Sequence, residues 1–560
     1  MQKYTKLRLF AIVSLILLTI VVLALFLVNG FISKKVLVAL KERVSAGSHG
    51  EYVLTVDDLY VNIFSRSVNL ENIVIAPVRK NISKYKAGYV LKANSLKIVG
   101  FSLLSYFKTK DLRISSIQFN DPHIAIYQKQ HRGIKPKEVV LEDFSLFEII
   151  SPSLRTLVID EIDIENSHFS IYKGSEDTTA LLSSADNSIS IRNFVISEES
   201  EGRDNLFTAD KFEIVMNRFS YHLPGNMYTL SGKKLYTSYT DSIIRIDSFQ
   251  LVPAYPKKEF GKMAGRQTTR AAITSSVIKF GHIDVKRFLE QNSFIARNLT
   301  LEGFYIDAYR DNNIPLEQVE RPSVQAIVRT IPFEIAIDSI LLVNASAVYE
   351  DLAQGAQVTG IMSLEKINGT ITGFHNDTAS YNENSKITAS LDALFMKQGA
   401  FRAQYVFPLN TREEKCFCKG SMAAMPIKII EPLTAPTKGV YIKSGQLDSM
   451  TFSFSTDGRR SDGRMSMAYR DLTVNVNPDN KDDKTFRAKL TTAIANKIIL
   501  INSNPGRNGE FRTVNMGVEK NLYRYFPYFF MQSLLSGITA SVQGEKKSKF
   551  LKRTRLFEKK

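Results

Sequence analysis

Between residues 54 and 369 the chain repeats one eight-residue phrase eleven times: apolar, any, apolar, two polar residues, apolar, any, apolar. It first reads Leu54-x-Val56-Asp57-Asp58-Leu59-x-Val61 and recurs at 68–75, 91–98, 112–119, 157–164 and 189–196. Five looser copies begin at Phe207, Ile244, Phe294, Ile335 and Met362; Ala209 and Ala296 hold apolar slots in two of them, and the last ends on Gly369. On a helix the four apolar positions would scatter over most of the circumference. Each half instead alternates with period two, as a half-buried strand does. The central polar pair puts the second half out of phase with the first, so keeping one apolar face requires an extra residue at a β-bulge. The phrase therefore predicts bulged, twisted strands with one apolar face, and the chain offers few helices to cover them.

A longer repeat contains the shorter one. Residues 112–127 align with 157–172 at every apolar position of the phrase, and the alignment puts His123 over His168. Segments 294–309 and 335–349 continue the series, and each copy ends on a tyrosine. The unit reads as bulged strand, turn, short strand. Between units, 102–108 and 284–290 read as short helical or looped crossovers carrying Leu103, Leu104, Val285, Phe288 and Leu289. Motif starts are separated by 14 to 50 residues, which argues against a solenoid of fixed period. With 560 residues, 44% of them hydrophobic, the chain has the composition of a large folded body and is read as one long sheet with insertions.

The two ends differ from this body. Residues 9–28 are apolar except for Ser14 and Thr19, a length that can span a bilayer. The best signal-peptidase junction, Val28-Asn29-Gly30-Phe31, is a poor one, so the segment is expected to stay as an anchor. Lysines and arginines flank it on both sides, and charge bias alone does not orient it. At the other end, 525–542 reads as a helix with a proline in its first turn and with Phe530, Leu534, Leu535, Ile538 and Val542 on one face. It is expected to cap the sheet or to lie on a membrane. The tail 545–560 carries eight Lys or Arg against two Glu, a net +6 of the chain's +17. Without a nucleic-acid fold or RNA-binding motif beside it, the tail suits solvent or anionic headgroups better than nucleic acid.

Catalytic chemistry is thin. The seven histidines show none of the close spacings of metal ligands, and the sequence holds no Gly-rich phosphate loop, Gly-x-Ser-x-Gly elbow or His-Glu-x-x-His helix. A non-enzyme without cofactors is expected. Cys416 and Cys418 stand two apart in a strand-like stretch and read as two buried thiols facing one side.

In order along the chain, the strand phrases 54–77 and 93–127 and the later pieces 243–260, 306–315, 463–476 and 533–538 resemble the AsmA-like envelope proteins, in the short version found in Bacteroidetes-type bacteria. The likeness covers nearly the whole chain and rests on the order of degenerate motifs. It implies a mainly β fold: a long, twisted, bulged antiparallel sheet rolled into a taco-like groove, similar to that of TamB- and chorein-type relatives, with an N-terminal transmembrane helix and a few short capping helices. The expected divisions are an anchor at 1–33, groove regions at 34–320 and 321–520, an amphipathic helix at 521–544 and the basic tail. The resemblance further implies a single-pass protein of the cytoplasmic membrane with its body in the periplasm, handling phospholipid or another acyl lipid in support of outer-membrane biogenesis, with other envelope proteins as further partners.

A one-sided apolar sheet either packs against a second layer or lines a groove that acyl chains fill. The groove candidates are Leu54, Val56, Leu59, Val61, Leu112, Ile114, Ile117, Phe119, Leu157, Ile159, Ile162 and Ile164. Charged replacements among them are expected to abolish lipid loading while leaving the body folded. The membrane-contact candidates are Phe530, Leu534, Leu535, Ile538, Lys546, Lys547, Lys552, Arg553 and Arg555. The rival expectation is an envelope scaffold or assembly factor with a closed β-sandwich core.

Overall fold

A computed structural model describes residues 31–62, 65–78, 87–128, 154–174, 178–197, 208–291, 293–411, 414–476, 500–506 and 508–543. The expected anchor at 9–28 and the basic tail lie outside the described residues. Among the described residues no helix is long and apolar enough to cross a membrane. The fold is mainly β, with 22 strands of mixed direction. It divides into two compact units, Met1–Pro224 with Thr229–Asp247, and Gly225–Tyr228 with Ser248–Lys560.

The first unit opens with α1 (Phe31–Gly47), β1 (Tyr52–Thr55), β2 (Asp58–Asn62), β3 (Ser67–Pro77) and β4 (Ala87–Val99). After the short α2 (Leu103–Thr109) come β5 (Asp111–Asn120), β6 (His123–Gln128), β7 (Thr156–Tyr172), β8 (Leu182–Ser197), β9 (Lys211–His222) and β10 (Tyr228–Ser238). Strands β1 and β2 pair with β3, which pairs with β4; β4 in turn pairs with both β5 and β6, all antiparallel. Both β5 and β6 run parallel to β7, and β7 to β10 continue as an antiparallel meander. The boundary between the units falls inside β11 (Ile243–Pro253).

The second unit repeats the device. It holds α3 (Lys257–Met263), β12 (Thr269–Ile283), α4 (Val285–Glu290), β13 (Phe294–Glu302), β14 (Tyr305–Asp311), α5 (Val324–Arg329) and β15 (Ile335–Leu352). Strands β13 and β14 pair antiparallel with β12 and parallel with β15. An antiparallel meander then runs through β16 (Gly360–His375), β17 (Lys386–Phe395), β18 (Gly399–Pro408), β19 (Cys416–Pro426), β20 (Val440–Thr456), β21 (Arg460–Val476) and β22 (Thr513–Glu519). Helix α6 (Glu431–Lys438) lies between β19 and β20, and α7 (Phe526–Gln543) follows β22.

The sheet is thus mixed where the sequence predicts an antiparallel one. The long repeat is the reason. Each split copy, β5 with β6 or β13 with β14, lies beside the next, unbroken copy, β7 or β15, in the same direction. Parallel neighbours need a connection of a dozen residues or more, and the sequence leaves enough between the end of β6 and the start of β7, and between the end of β14 and the start of β15. The predicted crossovers at 102–108 and 284–290 appear as α2 and α4.

The second polar residue of several phrases turns left-handed, but where pairing is described the extra residue expected there is present at only one of them: the register shifts across Lys366, whereas it runs unshifted past Asn72 and Asn193. Asn72, Asn193, Ser248 and Lys366 take left-handed φ values of 51°, 52°, 54° and 50°, a conformation asparagine tolerates well. In the first phrase the chain breaks into two strands instead, and Asn72 Nδ2 donates to Asp57 Oδ2 across the break at 2.9 Å.

Candidate functional site

Cross-strand partners share a face, so the register of the first unit can be followed as rows of side chains. One row runs Leu59, Leu70, Leu96, Phe119, Ile164, Ile189, Ile214 from β2 to β9. Beside it runs a second: Val61, Val68, Ile98, Ile117, Ile162, Ile191, Phe212. Two shorter rows lie on the same face, Leu112 with Leu157 and Ile196, and Ile114 with Ile159 and Phe194. The eight-residue phrase places four apolar side chains per strand, and the in-register pairing of successive phrases joins them into stripes perpendicular to the strands.

All twelve groove candidates belong to this face or its N-terminal edge. Leu54, Val56, Leu59, Leu112, Ile114, Ile117, Phe119, Leu157 and Ile159 are buried in one apolar cluster, against which Val61, Ile162 and Ile164 pack half-buried. At its N-terminal end this cluster is a packed core. Val36 and Leu40 of α1, Tyr106 of α2, and Phe101 and Leu154 are buried in it, and Ile114 is 0% exposed. Cover thins along the rows. Leu70 and Leu96 are 0% and 3% exposed, whereas Ile164, Ile189 and Ile214 in the same row are only half-buried.

The sequence reading therefore found the face but missed both its cover and the half-buried stretch of its rows. Val36, Leu40 and Val44 are spaced by four, a helical signal next to the apolar span. Ile189, Ile191 and Ile214 sit in phrases already recognised, in slots identical to those of the chosen residues.

In α7, Phe530, Leu534 and Ile538 are half-buried against the core of the second unit, and Leu535 is half-buried. The deepest line on the helix is another one, Phe529, Ser533, Gly537 and Ser541, all buried. Ser533 Oγ meets Ser461 Oγ at 2.7 Å, and a Cβ on Gly537 would fall 2.9 Å from Met465 Sδ. The helix caps β21 and β22 through its small residues. Lys546, Lys547, Lys552, Arg553 and Arg555 lie outside the described residues.

The opposite, polar face of the second unit's meander forms a concavity of about 610 Å³. Its lining follows the register from Gln404 to Lys419, Ser453 and Arg464, with Arg402 paired to Asp392 at 2.7 Å. Cys416 and Cys418 are buried on β19 facing one side, as expected, and burial pushes the Cys416 thiol up to about 12.

No family model matches the chain, and no curated protein is significantly similar to it.

Proposed function

We propose that the chain is a membrane-anchored envelope protein that holds or passively transfers phospholipid-like molecules on the apolar face of its first unit, in support of outer-membrane biogenesis. The observation that carries this reading is the pair of apolar rows reaching β9 with their last three positions half-buried. An extended acyl chain laid along a row meets an apolar side chain about every 4.8 Å, the strand spacing. Each methylene taken out of water there is worth about 0.8 kcal/mol. The headgroup would stay at the wet rim. Direction would come from a partner or a gradient, since the sequence has no nucleotide motif. The resemblance to AsmA-like proteins and the apolar segment 9–28 support the envelope setting.

A second reading, a scaffold with a closed core, is favoured by α1 lying over the N-terminal strands. Lipid extracted from the full chain after purification and extensive washing in mild detergent separates the two. Phospholipid in stoichiometric amount, lost in a folded Ile189→Asp variant, is the outcome expected of a lipid carrier. A monodisperse chain that retains no lipid would favour the scaffold.

A further inference from the structure

The long repeat brings chemistry together as well as apolar side chains. Because β6 and β7 are parallel and in register, His123 meets His168 and Tyr127 meets Tyr172. The imidazoles stack at 4.2 Å between centroids with 12° between planes, and the phenols stack at 4.9 Å. Both pairs face away from the apolar rows, because Ile124 and Ile126 alternate with them along β6. A line of left-handed residues crosses the sheet at this level: Asp121 (φ 53°), Asn166 (56°), Asp186 (53°) and Arg218 (47°). Turns and bulges of this kind re-aim side chains, and here they gather two carboxylates around the histidines.

Asp121 Oδ1 lies 3.0 Å from His123 Nε2 and 3.6 Å from His168 Nδ1. One donor atom from each of Asp121, His123 and His168 falls within 4.8 Å of the other two. Asn94 Nδ2 donates to the other carboxylate oxygen, Asp121 Oδ2, at 2.7 Å, which turns Oδ1 toward the rings. Behind His168, Nε2 is 3.9 Å from Asp186 Oδ1, and Asp186 is ion-paired with Arg218. His168 Nδ1 is itself buried without a hydrogen-bond partner among the described residues. Stacking of repeated residues explains why the rings are adjacent. It does not explain the convergence of carboxylates or the orphaned nitrogen, since buried polar atoms are ordinarily satisfied.

We propose that Asp121, His123 and His168 bind a divalent transition-metal cation of the zinc or copper type. Two imidazole nitrogens and one carboxylate oxygen suit these borderline ions, whereas calcium and magnesium favour sets made of oxygen alone. Asn94 and Asp186 orient the ligands in the manner of outer-shell partners. His123 is half-exposed, so water or an outside ligand completes the coordination. Lys92, opposite His123 in the ladder, adds a positive charge to the same face and keeps the affinity below that of a closed site. The ion would join the β5–β6 turn to β7 and so tie the first repeat copy to the second.

The test uses the full chain in mild detergent, stripped with chelator. Calorimetric titration with zinc chloride is expected to find one equivalent bound by the unaltered chain and by His49→Asn, a substitution at an exposed residue away from the cluster. His123→Asn and His168→Asn are each expected to weaken binding by at least about tenfold while keeping the metal-free melting temperature. Absence of zinc binding, or binding undiminished in both variants, would overturn the proposal. If a variant fails to fold, electron paramagnetic resonance of the unaltered chain with one equivalent of copper(II) decides: coupling to two imidazole nitrogens is expected, and one or none would overturn it.

Discussion

Ile114 and Ile189 occupy the same face of the same unit, yet they should answer substitution differently. Ile114 is fully buried in a packed cluster to which α1 and α2 contribute side chains. Ile114→Ala is expected to cost about 2–5 kcal/mol, the range for emptying a core site, read as a large fall in thermal stability. Ile189 is half-buried, so Ile189→Ala should cost well under half of that, and equal losses would mean that the rows are uniformly covered. The sealed position also revises the sequence expectation for Ile114→Asp, because a carboxylate placed there has no partner and would unfold the unit. The thiols give a second test. With burial pushing Cys416 up to about 12 and Cys418 upward as well, neither should react with a thiol reagent at pH 8 until the chain is denatured; rapid labelling of the native protein would contradict their burial. A third concerns pH. Arg155 grips Asp111 at 2.6 and 2.9 Å and holds its carboxyl down at about 2. A carboxyl lowered by folding adds stability that is whole above its ordinary value of 3.8 and is lost as pH falls through about 2. The pair is exposed, so the contribution is small, and Arg155→Gln should flatten the acid limb of the melting profile between those values.

Among the secondary-structure elements, the repeat made the one-sided strands legible because period-two alternation leaves few other ways to keep one face apolar. The bulges were legible only in part: Lys366 has one in the predicted slot, whereas Asn72 and Asn193 turn left-handed with the register unshifted. Strand direction was not legible. An alternating strand looks the same in a parallel or an antiparallel pair, and only the length of chain between the strands hints at the difference. Helix α7 shows another limit. The sequence points to its largest side chains, whereas close approach to the sheet is set by its smallest, Ser533, Gly537 and Ser541. Gly537→Leu should therefore lift the helix from Met465, at about 1–3 kcal/mol as for other overpacked sites. Faster hydrogen exchange across 526–543 would register it, and unchanged exchange would contradict the seating. Helix α1 went unread because its signal, Val36, Leu40 and Val44, is brief and adjoins the apolar span.

At the scale of the molecule, the central claim is that the apolar rows of the first unit change from core to binding surface between β5 and β9. No sequence pattern encodes that change, since the phrase at 189–196 has the same apolar slots as the phrase at 112–119. It arises from what lies above each strand, which depends on distant segments. The candidate face was thus legible as a set of residues, while the part of it that is only half-buried was not. The most direct measurement is photocrosslinking in the full chain, with a photoactivatable residue placed at 189 on the apolar face or at 188 on the opposite face, in membranes carrying radiolabelled phospholipid. The account predicts labelled lipid on the chain from position 189 and none from 188. Equal labelling from both positions, or none from either, would contradict it.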